Sequence, residues 1–306
     1  MSRSRLIALA ALLMGLMVAA SILEPRFVSP PAQGLLASHV WELAIVAIPM
    51  LLIIMMGGID LSVGSMVALS AVTFGMLFEK GTPVGWAVMA ALAVGAFAGF
   101  LNGWLVVRTK VHPLLITLGS MAAFRGIAEG MSLARPISGY PESFLSWSAG
   151  AKPGITFFLL AVIAHLLITR FRTGRWIASI GVSETASRFS KLPVDRVKIA
   201  LYSLCGLSCG LAAILLVARN NTAKADMGMG LELEAITAVV LGGAKIEGGK
   251  GSVIGLVLAL ALLHQTREFV SWHWKQNELH LVIMGALLLF ALLFDRFFLT
   301  RKRLRA

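Results

Sequence analysis

Hydrophobic positions run along this chain in long blocks, without the alternation of a half-buried strand or the single apolar stripe of a soluble helix. The blocks occupy residues 6–23, 36–56, 60–78, 85–107, 114–133, 154–170, 198–218, 252–270 and 279–298. Uninterrupted apolar runs of roughly 20 residues match the hydrocarbon thickness of a bilayer, so each block predicts a membrane helix. A shorter run, Ala235–Leu241, follows Glu232 and Glu234 and precedes Gly242-Gly243. Counting it, the pattern predicts about ten spans. The first block follows a basic start at Arg3 and Arg5, as a secretory leader does. It continues to Leu23, however, with no small-residue cleavage pattern ahead of a soluble region, and reads as a retained membrane helix. The short stretch before the second block is expected to hold no regulatory domain.

Composition agrees with this pattern. Hydrophobic residues make up 58% of the chain, charged residues 14%, and the mean hydropathy is +0.85. A soluble fold of this size needs more polar surface, so the class is an all-α polytopic membrane protein. The formal charge of +12 invites a nucleic-acid reading, but no soluble module presents it. The cations sit instead between blocks and at the ends. With ten spans, Arg3/Arg5, Arg108/Lys110, the loop 170–198, Lys245/Lys250 and the group from Arg296 to Arg305 share one side, and they hold most of the 27 Lys and Arg residues. By the positive-inside rule that side is cytoplasmic and both termini lie there. Nucleic acid is excluded as a partner, and the lipid membrane is the medium.

The costly interruptions carry the chemistry. Gly57-Gly58-Ile59-Asp60-Leu61-Ser62-Val63-Gly64-Ser65 breaks an apolar stretch. An Asp at a helix centre costs about 2.5–3.5 kcal/mol on insertion scales. Irregular backbone persists at membrane depth only where protein or a wet cavity surrounds it. Asp60 therefore caps the second of two helices, or belongs to a break lining a solute path, and the two readings are compatible. Arg125 and Glu129, four apart in the fifth block, can form a structural ion pair or serve a pathway. Asn102 beside Gly99 and Gly103 suggests close helix packing. Thr117 and Ser120, after His112-Pro113, suit packing or solute contact equally. Cys205 and Cys209 lie in an apolar run without His or carboxylate partners and read as core residues. Trp272-His273-Trp274 resembles an interfacial aromatic belt.

The second glycine-rich stretch, Gly242-Gly243-Ala244-Lys245-Ile246-Glu247-Gly248-Gly249-Lys250-Gly251-Ser252, fails as a phosphate loop. Aligned on Lys250, Ala244 stands where the first Gly belongs and Gly251 where a Ser or Thr should hold the metal. It reads as a tight interhelical turn. No nucleophile elbow, His-Glu-x-x-His motif or Cys/His ligand set is present, so catalytic and metal residues are expected to be none. In the polar interval 170–198, Ser183 can cap a short helix ended by Pro193. On charge alone that interval reads rather as an ordinary solvated loop than as a docking helix.

Taken together, these motifs resemble one family. Gly57–Ser65 is similar to the GGIDLSVG signature of permeases in bacterial sugar ABC importers, the group of the ribose, autoinducer-2 and rhamnose systems. Val111–Gly119, Tyr202–Leu207, Leu231–Gly243 and Gly248–Ser252 continue the resemblance in order, over roughly residues 40 to 300. Branched-chain amino-acid permeases are more distant and typically carry Asn in the first motif, so Asp60 with Ser62 favours the sugar branch.

The resemblance implies a single transmembrane permease domain over residues 1–306 in the bacterial inner membrane, with a cytoplasmic coupling loop at about 171–197. It implies a second permease chain, a cytoplasmic ABC ATPase that itself binds the ATP and Mg, and a periplasmic sugar-binding protein. No cofactor is implied on this chain. The coupling helix falls on Ser183, Glu184, Thr185, Ala186, Ser187, Arg188 and Phe189. Against the family's Gly-x-Asn-x-x-Ala-Ala-x-x-Ser-Gly-Ile pattern, Ser183 replaces Asn, Ser187 the second Ala and Lys191 the Gly. Asp60, Ser62, Thr117, Arg125 and Glu129 are the pathway candidates, and Gly57, Gly58, Gly64, Gly242, Gly243, Gly248 and Gly249 the structural glycines.

Overall fold

A computed structural model describes residues 3–274 and positions 282, 285 and 286. The last predicted block, 279–298, and the basic group from Arg296 to Arg305 lie almost wholly outside the described residues. The chain is a helical bundle. Helix α1 (Arg3–Leu23) is followed by a short α2 (Pro30–Leu36) and a 3-10 turn to His39, then α3 (Trp41–Met55). After the break come α4 (Val63–Glu79), α5 (Val84–Thr109) and α6 (Pro113–Ser132). A two-residue strand, β1 (Ile137–Ser138), and α7 (Glu142–Leu145) lead to α8 (Lys152–Thr169). Then follow α9 (Arg172–Val182), α10 (Glu184–Phe189), α11 (Val194–Asn220), β2 (Thr222–Ala223), α12 (Leu231–Leu241) and α13 (Val253–Trp274). Strands β1 and β2 pair antiparallel, Ile137 opposite Ala223.

Six helices among the described residues are long and apolar enough to cross a membrane: α1, α5, α6, α8, α11 and α13. The pair formed by α2 with its 3-10 turn and α3, bent by 51°, raises this to seven if it is one span. Ten full spans are not seen. The predicted block 60–78 starts as helix only at Val63, because Asp60 to Ser62 form a turn. The short run Ala235–Leu241 lies in α12, whose 11 residues rise about 16 Å, half of a hydrocarbon core.

Helix α3 is the axis of the bundle. It is apolar on all sides, as a fully enclosed helix must be, and every residue from Glu42 to Met55 is buried. Helices α8, α9, α11, α12 and α13 pack around it. The single acid at its start, Glu42, is paired with Arg219 at the end of α11, 2.9 Å away.

Small residues set the closest contact, between α5 and α11. Lipid tails are as apolar as Leu, so helices in a bilayer associate through close packing, which small side chains permit. A Cβ on Gly99 would overlap the Tyr202 carbonyl, and one on Gly206 would overlap the Gly95 carbonyl. Gly103 meets Ile199 Cα in the same way, so the close approach expected at Gly99 and Gly103 is present. Cys205 and Cys209 are buried free thiols on this seam.

Gly99→Val and Gly206→Val are therefore expected to lower the unfolding midpoint in detergent, overpacking costing about 1–3 kcal/mol or more. Gly119→Ala, where nothing lies within 4 Å, serves as the control and should leave the midpoint unchanged or slightly raised.

Candidate functional site

Residues 56–62 form a non-helical break that three helices distant in sequence reach with hydrogen bonds. Gly57 adopts φ +85°, open to glycine without strain, and turns the chain out of α3. The Ile59 carbonyl accepts from Thr117 Oγ1 of α6 at 3.2 Å and, at 3.5 Å, from the Tyr202 hydroxyl of α11. Asp60 Oδ1 accepts from the Ser62 amide at 2.9 Å and the Ser62 hydroxyl at 2.6 Å. Ser62 Oγ in turn accepts from Asn102 Nδ2 of α5 at 2.7 Å. Asp60 thus closes a turn immediately before α4 but does not cap it, since the N-cap is Ser62 and no side chain accepts from the first helical amides, and Asp60 is fully buried. Its second oxygen, Oδ2, and Asn102 Oδ1 are buried without a hydrogen-bond partner among the described residues. Gly58 lies under the Tyr202 hydroxyl, 2.8 Å from where its Cβ would stand. Tyr202 is missing from the polar candidates of the sequence because a Tyr in an apolar block reads as packing.

The second break lies between β2 and α12. Residues 224–230 descend beside α4, with Ala223 at Gly75 and Gly228 against Gly64, before α12 begins. Arg125, midway along α6, donates through one Nη1 to the Ala225 and Met227 carbonyls, the latter at 2.9 Å. The Arg125–Glu129 ion pair expected from their spacing is not made. Glu129 is exposed and beyond ion-pair distance, close enough to act on Arg125 only through space. The orphan carbonyls of a non-helical segment outcompete a neighbouring carboxylate, because buried unpaired backbone costs more than an exposed unpaired side chain.

The predicted site residues thus fall into separate places. Asp60, Ser62 and Thr117 meet in one cradle, and Arg125 straps the neighbouring break. Gly64 faces Gly228 and Glu232, and Gly242 packs on Gly255 and Leu256 of α13. The stretch 242–252 is a tight turn, as expected. Lys245 N–H donates to the Lys250 carbonyl at 3.1 Å, and Ser252 Oγ caps α13 by accepting from the Gly255 amide at 3.2 Å.

The interval 170–198 is mostly helix rather than loop. Helix α9 was legible in the spacing of Trp176, Ile177 and Ile180 against Arg172 and Arg175, yet it is absent from the predicted elements. Helix α10 follows, with Ser183 Oγ accepting from the Ala186 amide at 3.2 Å. Arg188 bridges Glu184, at 2.9 Å, and Asp195, while Lys198 reaches Glu184 at 2.6 Å, fixing α10 to the start of α11. Burial raises the Glu184 carboxyl, but hydrogen bonds from Lys198 and Arg188 outweigh it and hold the group below its ordinary 4.5. Arg188 likewise holds Asp195 below its ordinary 3.8. Phe189 ends the helix 84% exposed.

Comparison with known proteins follows the same line. A family model described as "Branched-chain amino acid transport system / permease component" matches residues 35–292. The autoinducer 2 import system permease proteins LsrD of Escherichia coli K12 and of Shigella flexneri are each 36% identical over 294 residues, covering 92% of this chain and 89% of theirs. The corresponding protein of Escherichia coli O157:H7 is 35% identical over the same coverage. No solved structure matches.

Arg125→Ala is expected to lower the detergent melting midpoint, since each buried carbonyl left unpaired costs about 1–3 kcal/mol. At α10, the lowered carboxyls stabilise the fold fully above their ordinary values of 4.5 and 3.8, and that contribution is lost as pH falls through the lowered ones. Hydrogen exchange across residues 183–198 should stay protected from pH 7 into the ordinary carboxylate range and rise only below it. Loss of protection already near pH 6 would remove the ion-pair account.

Proposed function

Since the chain belongs to the branched-chain amino acid transport system permease family, we propose that it imports autoinducer-2 or a closely related sugar-like solute. It is the transmembrane permease subunit of an ABC importer, a multi-pass inner-membrane protein and a transport component rather than an enzyme. An ATPase and a periplasmic binding protein are its partners by family. The proposal extends to a single permease domain over residues 1–306 with about ten spans, termini in the cytoplasm, and pairing with a second permease chain. In such a count α12 and the non-helical 224–230 together make one crossing, and 279–298 the last.

One observation carries the ATP-driven reading over an energy-independent channel. Helix α10 is braced by ion pairs and presents Phe189 outward on the Arg- and Lys-rich side of the chain. An exposed aromatic at the tip of a rigid, short helix suits insertion into a cleft of a soluble partner, and a channel has no use for one. The cargo reading rests on the likeness to the LsrD proteins and on Asp60 in place of the Asn typical of amino-acid permeases.

For the pathway, the cradle of Asp60, Ser62 and Thr117 is the polar wall, and Arg125 the strap that holds the adjoining break. The cradle is closed in the present conformation, so alternating access would expose it. Specificity then resides largely in the binding protein, because a ligand shifts an equilibrium only through differential affinity.

Three measurements test this. The permease, its ATPase and binding protein reconstituted in liposomes should hydrolyse ATP faster with a binding protein loaded from a panel of pentoses, deoxyhexoses and autoinducer-type sugars. Alanine substitution across Glu184–Phe189 should abolish ATPase association and uptake while insertion persists; unchanged uptake would favour the channel. Within assembled complexes, Asp60→Asn should reduce uptake, and normal transport would remove Asp60 from the path.

A further inference from the structure

Three glycine-bearing stretches far apart in sequence meet at one point, directly between the docking helix and the polar cradle. The Gly249 amide donates to the carbonyl of Met55, the last residue of α3, at 2.8 Å. Gly181, two residues before the Ser183 cap of α10, lies between them, and a Cβ there would overlap the Met55 carbonyl and the Gly249 nitrogen. A Cβ on Gly248 would stand 2.7 Å from the Gly181 carbonyl oxygen and 2.8 Å from its Cα. A Cβ on Gly249 would stand 2.6 Å from Val182 Cγ2. Gly248 and Gly249 have φ of +94° and +79°, so the turn presents backbone rather than side chain to α9. Gly57 closes the group, with Glu247 O and Gly181 Cα at 3.8 and 3.9 Å from its Cβ position.

Such a contact has no side chains to rearrange. Backbone touches backbone, and packed interfaces of this kind transmit small displacements instead of absorbing them. On one side Gly181 continues through the capped Ser183 into α10. On the other, Met55 is followed at once by the break whose Ile59 carbonyl engages α6 and α11 and whose Ser62 hydroxyl engages α5. Helix α9 is itself held at both ends. Gly174 lies against the Leu167 carbonyl of α8, and Ile177 and Ile180 are buried.

We infer that Gly181, Met55 and the Gly248-Gly249 turn form a rigid junction that carries movement of the docking helix into the Asp60 break. They are positioning residues, contacting neither ATPase nor solute. The inference rests on the importer reading given above and adds the route by which the ATPase acts on the path. It also accounts for Gly181 and Gly248, where a Cβ would stand under 3.0 Å from backbone atoms of the facing segment.

The test separates route from docking. In the reconstituted complex, Gly181→Ala should still co-purify with the ATPase and hydrolyse ATP, while solute moved per ATP falls about tenfold or more, within the usual span of coupling energies. Uptake per ATP at the unsubstituted level would overturn the junction. Failure of the unsubstituted chain to bind any ATPase would instead overturn the importer reading. A second variant decides the matter should Gly181→Ala not assemble. Val182→Cys with Gly249→Cys, in a background where Cys205 and Cys209 are replaced by Ala, places two thiols within disulfide reach. If the junction moves as one body, oxidation leaves uptake unchanged relative to the reduced complex. Arrest on oxidation with recovery on reduction would mean that the contact slides during the cycle, and would overturn the proposal.

Discussion

Backbone that leaves the helical conformation inside an apolar bundle must find every hydrogen bond in protein, and this constraint organises the structure. Among the described residues, 56–62 and 224–230 leave it beside the central helices. In the first, Thr117 and Tyr202 donate to the Ile59 carbonyl and Asp60 accepts from the Ser62 amide; in the second, Arg125 donates to the Ala225 and Met227 carbonyls. Each solution ties together helices far apart in the chain. Polar residues that look misplaced in apolar blocks are the partners of these two breaks, and their cost in a bilayer is offset by the larger cost of orphan carbonyls.

Glycine serves the same architecture in two ways. Along α5 and α11 it lets two span-length helices approach to backbone contact, supplying packing where water-driven association is absent. At the junction of Gly181, Gly248 and Gly249 with Met55 it brings a surface helix against the end of the central one. The first use holds the bundle together. The second joins α9 and α10 to the break that follows α3.

The region around α10 has a different logic. Helix α10 is too short to be stable alone, and it persists because Ser183 caps it and Glu184, Arg188, Asp195 and Lys198 brace it on α11. Surface ion pairs contribute little singly, but here they fix an orientation. Glu184 and Lys198 thereby tie α10 to the start of α11.

Much of this protein follows from its sequence alone. Among the described residues, six of the long apolar blocks coincide with span-length helices, because chain length and hydrophobicity suffice to place a helix in a bilayer, whereas 36–56 is divided by a bend and 60–78 begins as helix only at Val63. The Ser183 cap, the packing glycines at 99 and 103, the turn at 242–252 and the family itself are likewise local properties of residue type and spacing. Tertiary structure decided the rest. Four-residue spacing places Arg125 near Glu129, yet the strongest acceptors lie about 100 residues away on backbone that no periodicity marks as unwound. The half-length of α12, the role of Tyr202 and the meeting of Gly181 with Met55 and Gly249 have the same origin. A residue's partner depends on which groups packing leaves unsatisfied, and that is known only once the helices stand against one another.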